Sequence, residues 1–215
     1  MAVALVDNDV LIKTTAYGLL SMMINSAPFG VRHFSMLGAA KFIILRRLRK
    51  RAPARGFELV LKEFQSSIST FFEIEPSDDE IRVAAELEFL AKELDLELDS
   101  GESILCAVLM SRKSDYIFTG DKRAIHAVSG LIARGNGALT GKIVCLEQIS
   151  MWLIEHANST EVRSAVCAEP AVDIGLAACF SCYSPSVQVE SWRQGLMSYI
   201  EDLKQRAPGV LASYG

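Results

Sequence analysis

Short apolar segments alternate with longer amphipathic segments along most of this chain. The segment Ala2 to Ile12 begins with the apolar run Val-Ala-Leu-Val, and Tyr116 to Thr119 and Lys142 to Leu146 are further runs of strand length. Segments with the spacing of helices separate these runs. Strands that alternate with helices in this way form a mostly parallel sheet with helices on both faces. We therefore predict an α/β protein with a three-layer α/β/α arrangement.

The helical segments carry recognisable start and stop signals. Ser77 and Glu80 have the spacing of a capping box, in which each side chain binds the backbone amide of the other residue. Phe72 to Pro76 just before them resembles a short strand, and Pro53 ends an earlier helix that finishes in basic residues. Helices are predicted at about residues 37–51, 58–72, 77–94, 99–110 and 122–133.

The alternation fades after about residue 155. The segment from residue 161 onward contains Pro170 and Gly175 as interruptions, whereas Trp192, Leu196 and Leu203 keep a helical period. We predict an α/β domain of residues 1–154 followed by a helical extension of residues 155–215.

The composition limits the kind of protein this chain can be. Half of its 215 residues are hydrophobic, which is enough for one good-sized core. The net charge of −4 means that contact with a polyanion must come from a local basic patch. The five cysteines are scattered through apolar stretches, so we expect buried, unpaired thiols and a cytoplasmic protein. Apolar windows such as Tyr17 to Ile24 are too short for a bilayer span, so no membrane segment is predicted.

Three acidic residues follow predicted strands or begin a predicted helix. Asp7 ends the first strand, Asp121 comes just after the strand that ends at Thr119, and Glu102 lies at the start of an apolar helix. Because strand carboxyl ends and helix amino ends share one edge of a parallel sheet, the three acids can meet there. Converging carboxylates repel one another unless a divalent cation lies between them, and Mg²⁺ and Mn²⁺ prefer oxygen ligands. Such an ion can activate water for phosphodiester hydrolysis.

The segments that contain these acids resemble the three motifs of PIN-domain proteins and occur in the same order. They are Leu5 to Ile12, Leu98 to Ser103 and Phe118 to Arg123. The likeness covers roughly residues 1 to 150 and includes bacterial VapC-type toxins and related PIN ribonucleases. It implies a metal-dependent ribonuclease fold.

The resemblance also implies roles for single residues. Asp7, Glu102 and Asp121 would be ligands for one or two Mg²⁺ or Mn²⁺ ions, and Thr119 would orient a ligand or a water molecule. PIN nucleases often use a further acid from the helix between the first two motifs, for which Glu63 is the best candidate, with Glu58 behind it. Asp9 and Asp99 are close enough in sequence to contribute.

A basic cluster stands out in this acidic chain. Its candidate nucleic-acid-binding residues are Arg46, Arg47, Arg49, Lys50 and Arg51. They could bind the phosphate backbone of RNA near the metal site. Two other interpretations stay open, since cations also stabilise a helix C-terminus and the same surface could meet an acidic protein partner such as an antitoxin.

The resulting hypothesis is a cytoplasmic endoribonuclease that depends on Mg²⁺ or Mn²⁺, with the toxin of a toxin–antitoxin pair as one role. Homo-oligomers are expected, because PIN-like proteins commonly dimerise. One alternative is a PIN-like binding or scaffold module without activity. Another is a phosphatase resembling the haloacid dehalogenase superfamily. In this alternative Asp7 and Asp9 would correspond to the pair of acids in the active site of that superfamily. That family usually has a further acid at the position of Ile125, which argues against it.

Overall fold

The computed structural model describes residues 2–184 and 187–213. Residues 1, 185, 186, 214 and 215 lie outside the described residues, and the last four of these belong to the predicted C-terminal extension. The described strands are β1 (Ala2–Val6), β2 (Val31–Leu37), β3 (Phe72–Ile74), β4 (Tyr116–Thr119) and β5 (Ile143–Cys145). All neighbouring strands are parallel, and their order across the sheet is β3-β2-β1-β4-β5.

The α-helices that the structure describes connect and follow these strands. They are α1 (Asn8–Tyr17), α2 (Leu20–Ser26), α3 (Ala40–Lys50), α4 (Phe57–Ile68), α5 (Asp78–Glu93), α6 (Ser100–Arg112), α7 (Lys122–Ala133), α8 (Leu146–His156), α9 (Ser159–Ala168), α10 (Ile174–Cys179) and α11 (Val189–Arg206). Short 3₁₀ turns occur at Pro28–Gly30 and Gly137–Leu139.

Alternate residues of each strand face opposite sides of the sheet, as a pleated strand requires. Val6 and Phe118 belong to one buried apolar cluster together with side chains of α1 to α4 and α8 to α10. Leu5 and Ile117 belong to a second cluster, with side chains of α5, α6 and α7. Both faces of the sheet are therefore covered, which confirms the predicted three-layer α/β/α fold.

The strand β2 was not predicted from the sequence. Arg32, His33 and Ser35 interrupt its apolar residues, so neither an alternating nor a continuous apolar pattern shows. Leu37 belongs to this strand, and the helix predicted from residue 37 begins at Ala40 instead. The strand at residues 72–74 and the helix at residues 122–133 lie where they were predicted.

The segment after residue 155 packs on the same core as the rest of the chain. Trp192 and Leu196 of α11 belong to the first apolar cluster, and Ile200 and Leu203 of the same helix belong to the second. Beyond α11 the backbone amide of Ile143 donates to the Val210 carbonyl oxygen at 3.1 Å, so residues 210–212 lie beside β5.

The expectation of unpaired cysteines is wrong for two of the five. Cys167 in α9 forms a disulfide with Cys182, which follows α10. The disulfide therefore closes a loop that contains α10. Cys106, Cys145 and Cys179 are buried free thiols, as expected. Within the two described ranges, the helices are all too short or too polar to cross a membrane.

Candidate metal centre at the sheet edge

A crevice opens at the carboxyl ends of β1 and β4. These strands are neighbours in the sheet. After β1 the chain continues into α1 on one face of the sheet, whereas after β4 it continues into α7 on the opposite face. In open α/β sheets such a switch point leaves a gap between the loops, and ligands bind there. Asp7 and Asp121 begin the helices on the two sides of this gap.

Asp7 is a buried N-cap of α1. Its Oδ1 accepts the backbone amide of Asn8 at 2.7 Å, and its Oδ2 accepts the hydroxyl of Thr119 at 3.1 Å across the gap. Burial raises the pKa of Asp7 from 3.8 to about 6, and the nearby carboxylate of Asp9 adds to the shift. The Thr119 hydroxyl thus orients the Asp7 carboxylate. Its role at a bound metal or water stays a prediction.

Glu102 lies in the first turn of α6, where it forms a capping box with Asp99. The backbone amide of Asp99 donates to Glu102 Oε2 at 2.9 Å, and the amide of Glu102 donates to Asp99 Oδ1 at 2.9 Å. Burial raises the pKa of Glu102 from 4.5 to about 8, with further increases from the charges of Asp99, Asp121 and Asp7. A small cavity is lined by Asp7, Glu102 and Thr119 together.

Asp121 caps α7 and is bound by a neighbouring arginine. Its Oδ2 accepts a hydrogen bond from Nη2 of Arg123 at 2.7 Å, and its Oδ1 accepts one from the backbone amide of Arg123 at 2.8 Å. Burial alone would raise the pKa of Asp121, but the hydrogen bonds and charge of Arg123 outweigh it and lower the pKa. Asp121 and Glu102 line a common cleft beside the small cavity. Glu102 therefore lines one cavity with Asp7 and a second one with Asp121.

Asp9 also lies at this edge, on the side toward β4. A Cβ atom on Gly120 would come within 2.3 Å of Asp9 Oδ2, so the glycine leaves room for the Asp9 carboxylate beside the loop after β4. Asp9 Oδ2 is 2.7 Å from Nζ of Lys13, one helical turn along α1. Asp9 is therefore the additional acid that the structure places beside the three predicted ones.

Glu63 is not at this edge, and its prediction as a site acid is wrong. Its carboxylate accepts hydrogen bonds from both terminal nitrogens of Arg55, at 2.7 and 2.8 Å. Glu63 also lines a separate pocket together with Gly18. Gly18 caps the C-terminal end of α1, whereas Asp7 caps its N-terminal end, and ten residues of helix span about 15 Å. Glu58 is exposed at the start of α4.

Most of the basic cluster faces a groove that reaches the candidate site. This groove has a volume of about 720 Å³, and Asp9 and Lys13 are among its lining residues together with Glu169 on the opposite wall. Arg49 is the exception, since its guanidinium lies over the ring of Phe57 at 5.6 Å. The groove-lining members of the predicted cluster are Arg46, Arg47, Lys50 and Arg51.

Sequence reasoning missed a second charged group at this edge. Lys122 of α7 forms an ion pair with Glu147, which is buried in the first turn of α8. Asp173, from the segment between α9 and α10, lies 2.7 Å from Nζ of Lys13. The rule that identified Asp7 could have identified Glu147, which lies two residues after the end of β5 in the first turn of α8. No local pattern pointed to Asp173, because it comes from a distant part of the chain.

The donors at this edge suit a hard divalent cation. Among residues 2–184 and 187–213, no three His, Cys, Asp or Glu side chains already stand in an arrangement that could hold a metal ion. Asp121 is engaged by Arg123, and Asp7 and Glu102 each give an oxygen to a helix cap. However, the donors are all oxygens, and a cation would relieve the burial and repulsion that raise the pKa of Asp7 and Glu102. The carboxylate oxygens at this edge are therefore of the chemical type that Mg²⁺ and Mn²⁺ prefer.

The fold and the site together define an α/β protein with a carboxylate cluster at the switch point of its sheet. Comparisons of the chain with protein-family models, with curated proteins and with solved structures gave no match. The resemblance to PIN-domain proteins therefore stays a prediction that depends on the acidic motifs.

The raised pKa values predict that the metal-free protein loses stability as the pH rises. Between 4.5, the ordinary pKa of Glu102, and about 8, its value in the fold, the folded protein holds a proton that the unfolded chain releases. Stability therefore falls as pH rises through this window, and Asp7 adds to the fall between 3.8 and about 6. We expect thermal unfolding in EDTA to show roughly 2 kcal/mol less stability at about pH 8 than at about pH 5.

Glu102→Gln is the matched variant for this measurement, because its amide oxygen can still accept the amide of Asp99. It should flatten most of the pH dependence, whereas Glu93→Gln, at the far end of α5, should not change it. A wild-type stability that rises between these pH values would contradict the prediction.

Proposed function

We propose that the protein is a metal-dependent endoribonuclease. The observation that supports this most is that Asp7, Glu102 and Asp121, from three different elements, lie close enough for the charges of Asp7 and Asp121 to raise the pKa of Glu102. Three acids on one edge have a high electrostatic cost, and a divalent cation is the chemical reason to keep them together. That RNA is the substrate follows from the resemblance to PIN ribonucleases.

In this proposal Asp7, Glu102 and Asp121 hold Mg²⁺ or Mn²⁺, with Asp9 as a further acid at the edge. The ion supplies a water of lowered pKa and neutralises charge at the phosphodiester, so no covalent intermediate with the protein is needed. Thr119 holds the Asp7 carboxylate toward the gap through its hydroxyl. Arg123 has to release Asp121 Oδ2 before that oxygen can bind an ion, and its exposed guanidinium, which also pairs with Glu97, can then contact a phosphate.

The basic groove is the path proposed for the RNA backbone. Arg46, Arg47, Lys50 and Arg51 line it, and it ends at Asp9 and Lys13 beside the acids. Such contacts position a strand without reading its sequence. The proposal includes a cytoplasmic location, and because disulfides are rare there, the reduced protein has to be tested alongside the oxidised one.

The proposal is tested by incubating the purified protein with labelled single-stranded RNA or DNA, with Mg²⁺, with Mn²⁺ or with EDTA. We expect internal cleavage of RNA with either metal, none in EDTA, and slower or no cleavage of DNA. Each reaction is run with and without a thiol reductant. A folded protein that cleaves neither nucleic acid under any of these conditions would contradict the enzyme and favour the binding module.

A further inference from the structure

Two lysines from opposite sides of the crevice line one cleft together with the carboxylate of Asp173. Lys13 comes from α1 and Lys122 from α7, and Asp173 comes from the disulfide-closed segment between α9 and α10. Nζ of Lys13 lies 2.7 Å from Asp173 Oδ2. Burial alone would raise the pKa of Asp173, but the charge and hydrogen bond of Lys13 outweigh it and lower the pKa, with a smaller contribution from the charge of Lys122, whose Nζ pairs with Glu147.

The three side chains line an open cleft beside the candidate metal ligands. This cleft has a volume of about 450 Å³ and is also lined by Asp121 and Arg123. Its walls include glycines at 120 and 175, so backbone rather than side chain borders part of the space. A group bound between the two lysines would therefore lie next to a carboxylate that the proposed function assigns to the metal.

The two carboxylate oxygens of Asp173 have different partners. Its Oδ1 accepts the backbone amide of Leu176 at 2.8 Å and caps α10, while Oδ2 alone contacts Lys13. Loss of the lysine contact would leave the cap intact. Lys13 also lines the basic groove, so the groove and the cleft meet at this residue.

We propose that Lys13 and Lys122 form a subsite for a backbone phosphate of single-stranded RNA, and that the Asp173 carboxylate occupies this subsite in the free protein. A phosphate oxygen is an anionic acceptor like the Oδ2 that it replaces, and an ammonium group presents three donors. The subsite rests on the proposed function, because its position beside Asp121 gives it a role in placing the strand for cleavage.

The subsite is tested by binding rather than by cleavage. A fluorescently labelled single-stranded RNA is titrated in EDTA, at several salt concentrations, with wild-type protein and variants. Lys13→Met should weaken binding about tenfold and reduce the slope of log K against log salt by about 0.7, the value for one phosphate contact on a single strand. Asp173→Asn should strengthen binding about threefold, because the amide keeps the α10 cap but no longer competes as an anion.

Matched controls separate this role from a structural ion pair. Lys204→Met and Asp202→Asn remove exposed charges of α11 that pair within that helix, and should leave both affinity and salt slope unchanged. Lys13→Arg keeps the charge and should keep the wild-type slope. Thermal unfolding of each variant confirms that it is folded.

Several results would overturn the subsite. They are unchanged or weaker binding by Asp173→Asn, a salt slope of Lys13→Met equal to that of Lys204→Met, or no RNA binding by the wild type in EDTA. The binding titration contains no metal and is therefore independent of the cleavage assay. The expected binding pattern, together with no cleavage in Mg²⁺ or Mn²⁺, would support the subsite and contradict the nuclease. Cleavage without this pattern would do the reverse.

Discussion

Replacing Asp121 by Asn is expected to lower the rate of metal-dependent RNA cleavage about a thousandfold or more, while the protein stays folded. The amide oxygen can still accept the backbone amide of Arg123, so the cap of α7 is kept. The negative charge that would bind the cation is lost, and preorganised electrostatic groups of this kind contribute about 100- to 1,000-fold each to turnover. Asp7→Asn should have an effect of the same size, because Asp7 faces the same crevice.

The measurement is the initial cleavage rate over a range of Mn²⁺ concentrations. Asp79→Asn is the matched control, since Asp79 lies in the first turn of α5 and pairs with the exposed Arg82. We expect its rate to equal that of the wild type. A rate for Asp121→Asn within tenfold of the control would remove Asp121 from the metal site.

Replacing Lys122 by Met is expected to destabilise the fold by about 3 kcal/mol. Glu147 is 1 % exposed, and its Oε2 has no hydrogen-bond partner among the described residues. Lys122 forms an ion pair with the other carboxylate oxygen. Removing the lysine leaves a buried carboxylate without compensation, which is far more costly than losing an exposed pair.

Chemical denaturation measures this effect through the free energy of unfolding. Lys204→Met, which breaks the exposed pair with Glu201, should cost less than about 1 kcal/mol. The double variant Lys122→Met/Glu147→Met should recover most of the stability, because it removes the buried charge together with its partner. Equal costs for the two single lysine variants would show that the buried pair contributes no more than a surface pair.

The sequence was informative where the signal for an element is local. The helix α7 was predicted at its observed bounds, because Asp121 at its start and the apolar spacing within it are neighbours in sequence. The capping box of Ser77 and Glu80 forms as predicted, with hydrogen bonds of 2.8 and 3.3 Å. β2 was missed, because Ser35 is buried and His33 is half-buried only through packing with other elements, which a local pattern does not show.

The candidate site divides in the same way. Asp7, Glu102 and Asp121 could be selected from sequence, because acids at the ends of strands and starts of helices share an edge in a parallel sheet. Glu63 was misplaced, because a helical segment alone does not show which end of α1 its side chain will meet. Asp173 could not be selected at all, since its contact with Lys13 joins residues far apart along the chain.

The alternation of strands and helices and the order of the acidic motifs are properties of the sequence by itself, and they determined the α/β class and the three central carboxylates. Only the tertiary structure decided that Arg123 binds Asp121, that the basic groove and the cleft share Lys13, and that Asp173 pairs with Lys13. The physical reason is that capping and periodicity act between residues a few positions apart, whereas ion pairs and burial depend on how distant segments pack.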